Sequence, residues 1–169
     1  MEYLFLRRRK GTSTSPRQKD LLFKAVEKQW RKDFVSKGIE GREIDFEIYR
    51  SILHLLEIRQ IFLDSALSLK KLSAMIETNQ TYVSNVVNRY FGCNLKELIN
   101  SYRIEYAKEL LSMRSCTLVE IPKLCGFASK STFYSAFNKL EGSTPTRYLA
   151  RLQPVSYTHL RAHETAANL

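Results

Sequence analysis

Short apolar stripes at helical spacing, most of them opened by a capping residue and several closed by a glycine, follow one another from Ser68 to beyond Pro145. A chain punctuated in this way can form only helices and tight turns. Ser68 can cap a helix over residues 69–76, and Asn79 one over 80–90, because each side-chain oxygen can accept from a free backbone N–H two or three residues on. Gly92 stops the second of these. Asn94 opens a long helix to about Ser112, with Leu95, Leu98, Ile99, Tyr102, Tyr106 and Leu110 facing inward. Thr117-Leu118-Val119-Glu120 has the form of a capping box for a helix over 118–124, closed by Gly126. Ser129 caps a helix over 130–140. Thr144-Pro145 begins a last short one, with Pro at its first position.

Upstream, Leu22, Val26 and Trp30 recur at i, i+4, i+8 and predict a helix over 18–34. Residues 37–41 break it. Ile48, Ile52 and Leu56, widened by Tyr49 and Leu53, predict another over 45–60. No stretch alternates as a strand should. The fold class is therefore all-α: two helix-turn-helix subdomains joined by a long connecting helix and preceded by N-terminal linker helices. The first unit pairs 69–76 with 80–90, and the second pairs 118–124 with 130–140. A rigid helix between them can hold both second helices on one side, where successive major grooves lie about 34 Å apart.

The faces left outside suit such a partner. On helix 80–90, Val83, Val86, Val87 and Tyr90 take the core side, while Gln80, Thr81, Ser84, Asn85 and Asn88 share the other. On helix 130–140, Phe133, Phe137 and Leu140 take the core side, and Lys130, Ser131, Tyr134, Ser135 and Asn138 are expected outside. Short polar side chains can reach base edges without burying a charge, and Asn and Gln can bind adenine bidentately. Arg89, Lys96, Arg103, Lys108, Lys130, Lys139, Arg147 and Arg151 are the candidates for phosphate contact. Of these, Arg103 and Lys108 are expected also to pack their stems on the connecting helix.

Charge agrees with a polyanionic partner. The 169 residues carry a formal net charge of +10, and the isoelectric point is near 9.6. The excess is shared equally between residues 1–60 and 61–153, so it is not a terminal tag. Cys93, Cys116 and Cys125 form no CxxC pair, and His54, His159 and His163 complete no zinc spacing, so no metal or cofactor is expected. No Cys has a nearby His or Asp signal, so no enzyme active site is expected. No apolar run spans a bilayer and no secretory signal is present, which points to the cytoplasm.

At this point a resemblance is plain. Residues 62–152 resemble the DNA-binding domain of the AraC/XylS family. The resemblance is carried by Leu69-Lys70-Lys71-Leu72-Ser73, Thr81-Tyr82-Val83-Ser84 and Tyr102-Arg103-Ile104-Glu105-Tyr106-Ala107-Lys108-Glu109-Leu110-Leu111. It continues through Gly126-Phe127 and Phe133-Tyr134-Ser135-Ala136-Phe137-Asn138-Lys139 to Gly142-Ser143-Thr144-Pro145-Thr146-Arg147-Tyr148. It implies a transcription regulator, activator or repressor, that binds double-stranded DNA and works with RNA polymerase. It places base-reading positions at Thr81, Ser84 and Asn85, and at Lys130, Ser131, Tyr134 and Ser135. Many members carry Arg where Asn85 and Ser135 stand, so no sequence preference carries over. Pro122 replaces a usual small residue, and as a fifth helical residue it is expected to kink its helix.

The organisation expected is a basic juxtamembrane-like and linker segment at 1–17, amphipathic linker helices at 18–61, the DNA-binding domain at 62–153 and a tail at 154–169. Residues 155–165 back-translate to a sequence resembling a library adaptor, so the tail is set aside as non-native. Tyr3-Leu4-Phe5-Leu6 followed by Arg7-Arg8-Arg9-Lys10 resembles the cytoplasmic end of a membrane-anchored regulator, with a sensor upstream. The alternative is a small stand-alone regulator. Residues 18–60 could also serve dimerisation, or the whole could be a protein-interaction module whose DNA-reading face is unused.

Overall fold

A computed structural model describes residues 16–36, 43–114 and 116–152, and every regular element among them is helical. The basic cluster at 7–10, the linker before Pro16, the break at 37–41 and the tail at 154–169 lie outside the described residues. Eight helices follow in order: α1 Pro16–Ser36, α2 Glu43–Leu53, α3 Leu69–Ile76, α4 Gln80–Val86, α5 Leu95–Met113, α6 Ile121–Leu124, α7 Lys130–Glu141 and α8 Pro145–Leu152. Helix α2 widens into a π-helical turn at His54–Ile58, α4 does the same at Val87–Phe91, and a 3-10 turn spans Ile61–Leu63.

The caps are where local chemistry puts them. Ser68 Oγ accepts from Lys71 N at 3.2 Å, Asn79 Oδ1 from Tyr82 N at 2.9 Å and Ser129 Oγ from Thr132 N at 3.2 Å. Asn94 and Glu97 form a reciprocal capping box at the start of α5. Gly92 takes the left-handed conformation (φ 71°) that ends the α4 segment. One cap differs. Glu120 Oε2 accepts from both Thr117 N and Thr117 Oγ1, but residues 118–120 form a turn, and α6 begins only at Ile121. Pro122 therefore sits in the first turn of α6, where its missing N–H is needed by no helical bond. The kink expected from a fifth helical position therefore has no ground, because the turn precedes the helix. The helix closes as a Schellman motif, with Phe127 N donating to Pro122 O and Gly126 N to Lys123 O.

Two apolar cores share α5. Leu98, Ile99 and Tyr102 belong to the first, with Leu72, Val83, Val86, Val87 and Tyr90. Ile104, Ala107, Leu110 and Leu111 belong to the second, with Ile121, Phe133 and Phe137. The first core also takes in Trp30 and Phe34 from α1 and Phe46, Ile48, Ile52 and Leu56 from the α2 segment. Phe34 stacks on Tyr90 at 4.4 Å between ring centroids, and Tyr49 packs on Phe91 at 5.0 Å. The packing therefore runs through residues 61 and 62 without a break: Trp30, Ile48, Tyr49, Ile52, Leu53 and Leu56 of the 18–60 stripes are buried in this core, and Val26 packs against it. Leu140 departs from the sequence reading. It is 44% exposed, because α7 reaches the second core through Phe133, Ala136 and Phe137, with Tyr134 packed at its edge.

Arg103 lies at the seam between the cores. Its Nε donates to Phe62 O at 2.7 Å and an Nη to Asp64 O at 2.8 Å, while its guanidinium lies 5.4 Å from the Phe127 ring centroid. Gly126 meets the same segment from the second unit. A Cβ there would fall 2.6 Å from both the Phe62 and Leu63 carbonyl oxygens, and its φ is +79°. Ion pairs of Lys139 with Glu97 and of Lys108 with Glu141 further tie α7 to α5, and Lys108 also pairs with Glu105 within α5.

Candidate nucleic-acid interface

Helix α4 separates its two faces sharply. Val83, Val86 and Val87 are buried, as is Tyr90, whose hydroxyl donates to Asp45 Oδ2 at 3.1 Å. Gln80, Thr81, Asn85 and Asn88 are exposed and Ser84 is half-buried. Neutral amides and hydroxyls thus stand one turn apart on the outer face, a geometry suited to base edges in a groove. Arg89 is exposed at the helix end, 3.9 Å from Asp45.

In α7, Lys130, Ser131, Ser135 and Asn138 are exposed. Tyr134 is only half-buried and sits edge-on to Phe133 at 5.6 Å, with Lys130 Nζ 5.4 Å from its ring centroid. Its position is therefore fixed by the core on one side and by a cation on the other. Two residues that the sequence reading passed over share these outer faces. Tyr82 and Thr132 are exposed, each the third residue after its cap. That position, the one whose N–H the cap accepts, was the available signal. Thr132 also lines a cleft of about 430 Å³ between the units, with Leu67, Ser68, Leu69, Lys96 and Asn100.

The candidate phosphate ligands divide into two groups. Lys96, Arg147 and Arg151 are exposed, as are Lys130 and Arg89. Lys139 is 70% exposed but bonds Glu97 at 2.8 Å, and that contact draws the Glu97 carboxyl below its usual range. Lys108 is half-buried between two carboxylates. Burial alone would lower its pKa, yet the bonds to Glu105 and Glu141 hold it above the ordinary value. Arg103 is a correction. At 9% exposure, with its donors on two main-chain carbonyls, it joins the units internally and is withdrawn from the surface where a phosphate would lie.

Among the described residues no His/Cys/Asp/Glu group is arranged to hold a metal ion. Burial pushes the Cys125 thiol up to about 12 and also raises that of Cys93, which disfavours the thiolate a nucleophile needs. No described helix is long and apolar enough to cross a membrane.

Comparison with known proteins agrees with this geometry. A family described as "Helix-turn-helix domain" matches residues 72–151. The melibiose operon regulatory protein of Escherichia coli (strain K12) is 31% identical over 85 residues, covering 50% of this chain and 28% of that protein. The probable transcriptional regulator LumQ of Photobacterium leiognathi is 31% identical over 86 residues, 51% of this chain and 35% of that protein. The chain thus spans well under half the length of these curated relatives. The C-terminal domain of AraT, a response regulator from Geobacillus stearothermophilus, superposes with a TM-score of 0.58 at 24% identity. That match covers 69% of this chain and 94% of the other, and it shows the fold. The C-terminal domain of the two-component response regulator yesN from Fusobacterium nucleatum gives a TM-score of 0.50 at 27% identity, over 54% and 88% of the two chains.

Proposed function

We propose, from the match of residues 72–151 to a helix-turn-helix domain, that this chain is a sequence-specific DNA-binding regulator of transcription of the AraC type. The observation that carries this reading is the sharing of one helix by two cores. Helix α5 gives its first half to one unit and its second half to the other. The Arg103 and Gly126 contacts at the seam hold the two units in a single arrangement. A molecule built this way can offer α4 and α7 to two successive major grooves at once, with no second copy needed. The burial of Trp30, Ile48, Ile52 and Leu56 from the 18–60 stripes inside the monomer core favours that over a dimer formed through them.

In this reading Gln80, Thr81, Ser84, Asn85 and Asn88 read one groove, and Lys130, Ser131, Tyr134 and Ser135 the other. Lys96, Arg89, Arg147, Arg151 and Lys139 neutralise phosphates, with Lys139 exchanging Glu97 for DNA. Phosphate contact supplies affinity without sequence information, and base contact supplies choice. The names of the relatives, an operon regulatory protein and a probable transcriptional regulator, support the same role. We place its action in the cytoplasm, as an activator beside RNA polymerase. It would answer a signal sensed by an upstream segment of a fuller chain, and it would not act as an enzyme.

The test is titration of labelled duplex DNA at two salt concentrations. Binding that weakens steeply with salt supports the reading. Absence of binding at low salt defeats it and leaves a protein-interaction module.

A further inference from the structure

Helix α1 lies outside the residues matched by the helix-turn-helix family, and its two sides are chemically opposite. Phe23, Val26, Trp30 and Phe34 pack on the first core. On the other side Lys24, Lys28 and Lys32 stand exposed at i, i+4, i+8, and none has a carboxylate partner among the residues whose side chains are described, 21 and 23–35 of this helix included. Two of this helix's acids, Glu27 and Asp33, are engaged elsewhere. Glu27 is half-buried and bonds Arg50, and Asp33 is half-buried and accepts from Gln29 at 2.8 Å. At 1.5 Å per residue the three ammonium groups are spread over about 12 Å of helix.

The end of this helix is tied to the reading helix of the first unit. Phe34 stacks on Tyr90, which lies in the same helical segment as the exposed Asn88 and Arg89. The lysine row therefore starts near the edge of the proposed interface and runs away from it. We infer that α1 is a backbone clamp: Lys24, Lys28 and Lys32 bind phosphates of duplex DNA flanking the groove occupied by α4. This rests on the DNA-binding reading of α4 and α7.

Phosphodiesters fit the row better than a membrane surface does. A surface-lying helix inserts an apolar face between lipids, and the apolar face of α1 is already committed to the core. Leu21 and Val35 are themselves exposed, but between them the described exposed side chains are Lys24, Ala25, Lys28, Gln29, Arg31 and Lys32, so the outer side carries isolated apolar residues at its ends and no apolar face. Ammonium groups about 6 Å apart along the helix are also close enough to meet successive phosphates.

The experiment uses the full chain, a duplex holding two half-sites (about 20 bp) and versions extended by one turn, about 10 bp, on either side. The proteins are the wild type, Lys24→Ala/Lys28→Ala/Lys32→Ala and the matching triple Arg variant. The wild type and the Arg variant should gain affinity from extension on the α4 side and not on the α7 side. The Ala variant should gain nothing. On the α4-extended duplex its salt slope should be lower by about 2.7, at about 0.9 per phosphate. Its deficit against wild type should then shrink about 40-fold between 50 and 200 mM salt. If wild type binds the short duplex and ignores both extensions, or if the Ala variant matches it on every duplex, the clamp is refuted while the regulator reading stands. If wild type binds no duplex, both fall. Loss by the Ala variant on phosphatidylserine/phosphatidylcholine vesicles, with duplex binding unchanged, would overturn the clamp in favour of a membrane role.

Discussion

Replacing Arg103 by Ala tests the seam. The side chain is 9% exposed and donates to Phe62 O and Asp64 O at 2.7 and 2.8 Å. A hydrogen bond from a charged donor contributes about 1.5–3 kcal/mol, and a buried carbonyl deprived of its donor adds a further penalty that overlaps with it. The guanidinium's contact with Phe127 is lost as well. A loss of about 4 kcal/mol is expected, a large part of the roughly 5–15 kcal/mol that holds a domain folded. For a chain of this size that is about 8–16 °C in melting temperature, at about 2–4 °C per kcal/mol. Arg103→Lys keeps the charge but not the two-pronged fork, and should fall between. The control is Arg147→Ala on the exposed surface of α8, expected within about 0.5 kcal/mol of wild type. Thermal unfolding followed by far-ultraviolet circular dichroism reads both, and duplex titration at two salts accompanies it. The reasoning is refuted if Arg103→Ala melts within about 2 °C of wild type and instead lowers the salt slope by about one unit. That would be the behaviour of a phosphate contact.

Three further outcomes follow from particular atoms. Gly126→Ala drives a Cβ into two main-chain oxygens and should cost more than about 3 kcal/mol, whereas Gly142→Ala, at a similar φ but in open space, should cost about 1–2; equal shifts in urea midpoint would contradict this. Asn85→Ala should lose about 1–3 kcal/mol of discrimination at one base pair with its salt slope unchanged, and an unaltered preference at every position would make Asn85 a solvated surface residue. Glu57 has an unpartnered buried Oε2, and burial pushes its carboxyl from the ordinary 4.5 up to about 7, against the bond from Tyr102. The folded state then holds a proton that the unfolded chain releases, so this group's contribution is full below about 4.5 and is lost as pH rises through 7. Glu57→Gln should gain on wild type between pH 5 and pH 8 in urea unfolding, and a constant difference would exclude this origin.

What could be read from the sequence was what local chemistry decides. Ser68, Asn79, Asn94 and Ser129 cap through side chains two or three residues from their targets, so their spacing alone predicts the helix starts. The buried side of α4 followed from its apolar period in the same way. What escaped was decided across distance. An arginine reads as surface until the carbonyls of Phe62 and Asp64 are folded against it. Leu140 continues the apolar pattern of α7 but overshoots the core it points along. Pro122 reads as a break only if the helix starts at the capping box, and the turn at 118–120 moves that start. Helices α1 and α2 have the amphipathic pattern of linkers or dimer stripes, and nothing local says that Trp30 and Phe34 close the first core over Tyr90.

The central claim is that one chain reads two successive grooves with α4 and α7. Selection of bound sequences from a random duplex library, followed by alignment of the winners, measures it most directly. The expected result is two blocks of base preference with centres about 10–10.5 bp apart. The block assigned to α4 by Asn85→Ala should lean to A·T, since none of the residues placed to read bases there is an arginine and Arg89 is assigned to phosphate. A single block of preference, blocks at a spacing that varies among the winners, or no enrichment over the starting library would contradict it.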